Sequence, residues 1–471
     1  MQKNNKIIHV LILMCTIFFS LMAYLTYFQL FTGKKIESSA YNRRQQIKED
    51  NTKRGDIFDR NGVVLAESVN LKGKWQRKYP YGSLYSHVIG YNSEVYGRAL
   101  IEQKYNSYLL NINELKSVMG ISNNLLKDEK VGNNLYLTID NKLQKLASEL
   151  LGAKKGAVVA MNPKSGEILA MVSKPGFDPN NSALAEKWKE LVESEDSPFL
   201  PRAIQGLYAP GSTFKVAIAA LAVEHGMEDI AFDDKGTVNI DGKNFSNSNK
   251  KAYGKLDLEK ALVVSSNVVF SQIGVKLGEK NIRDMANSIG MERSISFDIP
   301  LSKSVFPYKS MEKTDLAAVA IGQGKMLVTP LHMAMLASSI GNNGVMMKPV
   351  LVSKVVDSEG KEIKKWNSEK LGNTFTADAA KKVKNMMVKV VKEGTGKSAA
   401  VNGITVAGKT GTAENEQTIN GAKKEHAWFI GFAPAENPQI AVAVIVEYSG
   451  GSGGTVSAPI AGKIMQEYLK R

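Results

Sequence analysis

In the stretch LYAPGSTFKVAIAALAVEHG (207–226), a serine and a lysine stand three residues apart, directly after a proline and a glycine and at the head of a long apolar run. Pro210 and Gly211 break the preceding chain, and Ser212 is a residue type that starts helices. Positions i and i+3 share a helix face, which puts Lys215 beside the Ser212 hydroxyl. A lysine amine can act as general base toward a serine nucleophile once it is neutral near pH 7. Its reference pKa of about 10.4 must then fall by roughly three units, a shift that burial and a nearby cation can supply. The apolar run from Phe214 to Val223 offers the burial. The helix N-terminus adds its positive end, and the Ser212 N–H is placed to steady an oxyanion.

S-x-x-K alone is a weak signal, since it recurs at Ser248, Ser310 and Ser358 in polar stretches. An isolated match reads best as a capped core helix with a snorkelling lysine. Two further clusters change that reading. Ser265, Ser266 and Asn267 lie in ALVVSSNVVF, an apolar helical setting where free polar groups are expensive. Lys409, Thr410, Gly411 and Thr412 form KTGT on an expected strand. There Lys409 offers a fixed positive charge, Thr410 and Thr412 offer hydroxyls, and the Thr412 N–H could complete an oxyanion hole. Gly411 permits close backbone approach, as a substrate lying along a strand edge needs. S-x-N also occurs at Ser68 and Ser122, but both precede Ser212, and K-T-G occurs once. The order S-x-x-K, S-x-N, K-T-G in apolar surroundings is a specific one.

Other chemistries are disfavoured. No histidine lies in the three clusters, which argues against a Ser-His-Asp site, and His426 in HAWFIGF is read as structural. H-E-x-x-H and paired C-x-x-C are absent from the sequence, so neither a metal nor another cofactor is expected. The net charge of +15 comes without a run of arginines interleaved with aromatics, so nucleic acid is not expected as a partner. An anionic membrane or cell wall remains compatible with that charge.

The elements that must position these residues follow from the pattern. The chain has 471 residues, 43% hydrophobic and 23% charged, enough for more than one domain. Residues 7–31 carry no formal charge apart from His9 and would span about 37 Å as a helix. That run is too long for a signal-peptide core and no A-x-A follows it, so it reads as an uncleaved anchor. Lys3 and Lys6 precede it and Lys34 and Lys35 follow, leaving the charge rule nearly balanced. The short tail and large body suggest an exported body. The single cysteine, Cys15, lies inside the anchor, so the body holds together without disulfides. RGDIFDRNGVVLAES (54–68) reads as a hairpin about an Asn-Gly turn. Leu135–Ile139 reads as a strand, followed by an Asp140 cap and an amphipathic helix. GAVVAMNPKSGEILAMVSKPGFDPN reads as two strands about the turn 162–166. Residues 203–348 are expected to be mostly helical, and the C-terminal part returns to three strands and a last helix. One sheet built from both ends with helices on its faces is the economical architecture.

The three motifs together resemble those of the penicillin-binding and serine β-lactamase superfamily. With RGDIFDRNGVVLAE, LYAPGSTFK, AIGQGKMLVTPLHMAMLASSIGNNG and AGKTGTAE, nearly the whole chain resembles a class B penicillin-binding protein. The resemblance implies an α/β fold: an αβα transpeptidase domain with a central antiparallel sheet (151–471), a reduced α+β pedestal (32–150), one transmembrane helix (7–31) and a cytoplasmic tail (1–6). It implies a membrane-bound peptidoglycan D,D-transpeptidase that is a β-lactam target, with its catalytic domain outside the bacterial cell membrane. Ser212 would attack the D-Ala-D-Ala stem peptide, Lys215 would take its proton and Ser265 would relay protons to the leaving amine. Asn267 would hold substrate backbone, and Lys409, Thr410 and Thr412 would hold the terminal carboxylate. The backbone N–H groups of Ser212 and Thr412 would form the oxyanion hole. A multi-span SEDS-type glycan polymerase is the partner the family implies. A β-lactamase, which would need a way to activate water, and a non-enzymatic β-lactam sensor or scaffold are the rival readings.

Overall fold

The computed structural model describes residues 2–28, 52–71, 73–112, 130–413, 418–419, 422–423 and 425–470. The N-terminal apolar run is one helix, α1 (Gln2–Tyr27). Its 21 residues from Ile7 to Tyr27 cover about 32 Å and are long and apolar enough to cross a membrane. Ile7, Leu13, Ile17 and Phe19, spread around its circumference, are all exposed. Residues 29–31, which would complete the expected span, lie outside the described residues, as do Lys34 and Lys35.

The DRNG segment joins β1 (Ile57–Phe58) to β2 (Val64–Leu71) as an antiparallel hairpin. Asp59 Oδ1 accepts the N–H groups of Asn61 and Val63, each at 2.8 Å, and Gly62 takes the left-handed turn position at φ 84°. β3 (Lys74–Lys78) extends the hairpin, and β4 (Asn134–Leu137) runs parallel to β1. Asp140 caps α2 (Asn141–Leu151) by accepting the Leu143 N–H at 3.0 Å. Asp59 Oδ2 accepts the Asn141 N–H at 3.1 Å, so the hairpin turn also fixes the start of α2.

The five-stranded central sheet draws on both ends of the remaining chain. β5 (Gly156–Met161) and β6 (Ile168–Lys174) come from its beginning. Then follow α3 (Lys215–Glu224), β7 (Phe232–Asp234), β8 (Thr237–Ile240), β9 (Lys243–Ser246), β10 (Gly254–Leu256), α4 (Leu258–Val264), α5 (Asn267–Ser288) and α6 (Pro330–Gly341). The chain next forms β11 (Val352–Val356), β12 (Glu362–Lys365) and α7 (Ala377–Lys392). It ends with β13 (Ala407–Ala413), β14 (His426–Ala433), β15 (Ile440–Val446) and α8 (Ser457–Leu469). The sheet order is β6-β5-β15-β14-β13, antiparallel throughout, with β13 at an edge. Strand alternation divides the core. Val158 and Ala160 face a layer containing Leu143 of α2 and Ile464 of α8. Ala157 and Val159 face a layer containing α3, α5, α6 and α7. Covered on both faces, β5, β14 and β15 are buried along their whole length, which is why they read as unbroken apolar runs.

Two features depart from the expected plan. The helical middle contains β7–β10, paired as two small antiparallel sheets. The Asp241-Gly242 turn between β8 and β9 was the available signal. In addition, β11 and β12 complete a six-stranded sheet of order β12-β11-β4-β1-β2-β3, so late chain enters the sheet begun by β1–β4.

The N-terminal region that begins this sheet is organised about Glu102, which is fully buried. Its carboxylate accepts from Arg54 Nε at 2.7 Å, Arg77 Nε at 2.6 Å and the Tyr79 hydroxyl at 3.2 Å. Burial alone would raise its pKa, but the two guanidinium charges outweigh burial and hold it below the usual range. Removing the shared carboxylate leaves two buried cations without it. Glu102→Ala is therefore expected to cost about 3–5 kcal/mol, read as a lowered urea midpoint of the detergent-solubilised protein. An effect no larger than removal of half-buried Glu67, which pairs with exposed Lys78 at 3.2 Å, would contradict this account.

Candidate active site

Ser212 lies in a 3-10 turn, Gly211–Phe214, that runs directly into α3. It stands inside the turn rather than at its cap, and no side-chain cap bond forms there, so its half-buried hydroxyl is not spent on capping. The turn is held from several sides. Gly211 N–H donates to Gly322 O at 2.9 Å, Tyr208 exchanges backbone bonds with Val328 at 3.0 and 2.8 Å, and Trp428 Nε1 donates to Ala209 O at 3.1 Å. The Tyr208 hydroxyl donates to Glu447 Oε1 at 2.6 Å, and Glu447 also accepts from Arg202 Nε at 2.8 Å. By contrast Ser248, Ser310 and Ser358 are all exposed.

The three motifs meet. Lys215 and Lys409 are each 0% exposed. Lys215 Nζ donates to Ser265 O at 2.8 Å and Asn267 Oδ1 at 2.7 Å, and lies 3.4 Å from Ser265 Oγ. Lys409 Nζ donates to Ser265 Oγ at 2.8 Å and Thr410 O at 3.0 Å. One serine hydroxyl is thus flanked by two buried amines. Ser265 reaches this position because the helical setting expected there breaks between two helices. It ends α4 in the left-handed conformation, φ 60° and ψ 40°, and Ser266 caps α5 by accepting the Val269 N–H at 3.0 Å. A non-glycine residue enters that conformation at a cost of roughly 1–2 kcal/mol. Asn267 Nδ2 donates to Ser246 O at 2.8 Å, which fixes its amide orientation.

Burial, reinforced by the charge of Lys409 and opposed by Asp234, holds Lys215 well below the usual lysine range. Burial brings Lys409 down to about 7. Burial therefore opposes the positive charge that the sequence reading gives to Lys409. Gly411 also has close neighbours within the protein. A Cβ there would meet Thr213 Cγ2 at 2.9 Å and Trp428 Cβ at 3.1 Å, so the turn that bears Ser212 packs closely on β13. The Thr410 hydroxyl pairs with Thr395 Oγ1 at 2.6 Å, while Thr412 is half-buried on the same edge strand.

Thr395, Trp428 and a buried group comprising Asp234 and Asn247 were not legible as site residues. They stand outside the three motifs and become neighbours only through the fold. His426 sits between Tyr208 and Tyr448, and its Nδ1 accepts the Tyr448 N–H at 3.2 Å. Burial lowers its pKa, so it is neutral near pH 7. Among the described residues no cluster of His, Cys, Asp or Glu could hold a metal.

Residues 156–466 match the family described as the penicillin binding protein transpeptidase domain, and residues 54–135 match the penicillin binding protein A dimerisation domain. The peptidoglycan D,D-transpeptidase PbpA of Mycolicibacterium smegmatis is 30% identical over 97% of this chain and 97% of its own. The peptidoglycan D,D-transpeptidase MrdA of Acinetobacter baumannii is 29% identical over 83% of this chain, which spans 66% of that relative's length. A solved D,D-transpeptidase domain of a peptidoglycan glycosyltransferase from Eggerthella lenta is 36% identical, with a TM-score of 0.79 over 89% of this chain and 99% of that one. The ceftriaxone acyl-enzyme of penicillin-binding protein A from M. tuberculosis is 29% identical, with a TM-score of 0.83 over 90% of this chain and 100% of that one. Carrying the transpeptidase domain over most of its length and resembling these proteins beyond it, the chain belongs to the penicillin-binding proteins of class B.

Proposed function

We propose that the protein is a membrane-anchored serine D,D-transpeptidase that crosslinks peptidoglycan stem peptides, with Ser212 as nucleophile. The observation that carries this reading is the position of Ser265 Oγ, 2.8 Å from Lys409 Nζ and 3.4 Å from Lys215 Nζ, next to the turn that bears Ser212. Neutral Lys215 takes the Ser212 proton as Oγ adds to the carbonyl carbon of the penultimate D-alanine. The N–H groups of Ser212 and Thr412 hold the oxyanion. The C–N bond then breaks, and the terminal D-alanine leaves as an amine after receiving a proton through Ser265. An acceptor amine from a neighbouring stem attacks the resulting ester, makes the crosslink and restores Ser212. Lys409, Thr410 and Thr412 hold the terminal carboxylate along the β13 edge, where Gly411 keeps the strand against the nucleophile turn. The second Asn267 amide hydrogen is available to substrate backbone.

In this reading residues 1–6 are cytoplasmic, 7–31 form a single anchor, 32–150 form the membrane-proximal domain and 151–471 the transpeptidase domain outside the membrane. The match to proteins named peptidoglycan D,D-transpeptidases supports a SEDS-type glycan polymerase as partner only by family. The anchor is testable directly. The purified protein should retain its residues before Phe31 on N-terminal sequencing, and a mature start beyond Phe31 would refute it.

Brief exposure to penicillin should give one adduct on the Ser212 peptide, seen by intact mass and peptide mapping and stable for hours. It should be absent from Ser212→Ala and Lys215→Ala. Mapping to Ser248, Ser310 or Ser358 would overturn the site. Rapid release of hydrolysed drug would make the protein a β-lactamase. A stable adduct without crosslinking of lipid-linked peptidoglycan, with a polymerase supplied, would make it a sensor.

The pH dependence of second-order acylation should be bell-shaped. The rising limb is loss of the Lys215 proton, at a pH well below the ordinary lysine range. The falling limb is loss of the Lys409 charge that attracts the carboxylate, at a pH of about 7 in the unliganded protein. Lys409→Arg keeps its charge, so its falling limb should vanish from the neutral range even though its different shape lowers the maximum. Stopped-flow labelling with a fluorescent penicillin measures both. A falling limb unchanged in Lys409→Arg would contradict the assignment.

A further inference from the structure

Asp234, the last residue of β7, is 1% exposed and belongs to none of the three motifs. Its carboxylate nevertheless organises the turn that carries one of them. Oδ1 accepts the Gly236 N–H at 2.8 Å. Oδ2 accepts the Ser266 hydroxyl at 2.6 Å, and both oxygens lie 2.8 Å from Asn247 Nδ2. Asn247 in turn accepts the Asn267 N–H at 2.7 Å and the Val268 N–H at 3.2 Å through Oδ1, and donates to Lys251 O at 2.8 Å. The carboxylate thus reaches Ser266 directly and Asn267 through one intermediary. These are the two residues that follow left-handed Ser265. Strained backbone of that kind persists only where its surroundings over-determine it.

The same carboxylate answers an electrostatic need. Lys215 and Lys409 are both fully buried and repel each other when charged. Lys409 on β13 and Asp234 on β7 are the charged groups that act on Lys215, in opposite directions. Asp234 is also tied into the hydrogen-bond network that orients Ser265 and Asn267, so charge and geometry are delivered by one group.

We propose that Asp234 is a positioning residue for acylation: through Ser266 and Asn247 it holds the Ser265 turn so that Ser265 Oγ stays between the two lysines, and its buried negative charge offsets theirs. This rests on the reading of Ser212 and Lys215 as nucleophile and base. A role confined to folding would lower the fraction of active protein without altering how the active fraction titrates.

The test compares Asp234→Asn and Ser266→Ala with the wild type in fluorescent-penicillin labelling across pH, with rates corrected for active fraction by labelling end point. Asp234→Asn removes the charge at nearly constant shape. Its maximal acylation rate should fall about ten- to a hundredfold, the range for losing hydrogen bonds to a charged group. Its rising limb should move to lower pH, because the charge that favours protonated Lys215 is gone. Ser266→Ala keeps the charge, so its rate should fall about three- to tenfold with the limb in place. An Asp234→Asn profile that coincides with wild type, or that is lowered without any limb shift, overturns the proposal. If Asp234→Asn does not fold, a Ser266→Ala rate equal to wild type overturns it instead. Wild-type label mapping away from Ser212 would defeat the underlying functional reading, which separates that failure from failure of the Asp234 role.

Discussion

The structure depends on two buried amines meeting at one hydroxyl. Taking an ammonium group out of water is unfavourable by several kcal/mol even after relaxation, and two placed close together repel. A chain accepts this only if the surrounding elements are stiff enough to prevent either lysine from swinging out to solvent. Each lysine accordingly comes from an element pinned along its length. Lys215 begins α3, whose residues from Lys215 to Val223 are all buried. Lys409 lies on β13, paired with β14 in continuous register from Ala407 to Ala413. Ser265 lies at the break between two packed helices. Rigid supports from three directions make the unfavourable arrangement persistent, and the same burial pushes Lys215 well below the ordinary lysine range.

The chemistry was more legible in the sequence than its supports. The three motifs are short and ordered, and their residue types already imply a serine nucleophile paired with a lysine base. The sheet was legible too, because strands covered on both faces must be apolar throughout, as in IAVAVIV at β15. What the local pattern could not convey were pairings between distant segments. Asp234 lies in FDDKG, which reads locally as an exposed turn, yet it is buried because Asn247 and Ser266 fold over it. Gly411 showed the opposite limit. Its need for space was legible, but its neighbour, Thr213 from the nucleophile turn, was not.

The ionic state of Lys409 gives the site a further property. Burial disfavours the charge on this amine, and a carboxylate held beside it would favour that charge again. An arriving anion favours the charged form, so binding and proton uptake are linked. The hydrogen bond from Lys409 to Ser265 Oγ carries that change to the serine lying between both lysines. In the proposed mechanism, carboxylate binding at Lys409 and the protonation of Lys215 are thus linked across a single hydroxyl.

The order of the strands has a consequence for how the molecule is made. β5 is synthesised early, but its neighbour β15 comes from near the end of the chain, and β4 likewise waits for β11. Neither sheet can close on a nascent chain. Until the last segment has emerged, the growing polypeptide carries unpaired apolar strand edges, the condition under which chains associate wrongly. Contacts so distant in sequence also make folding slow. The cell therefore handles this protein, for most of its translation time, as an unfinished chain whose early sheets each keep one edge open.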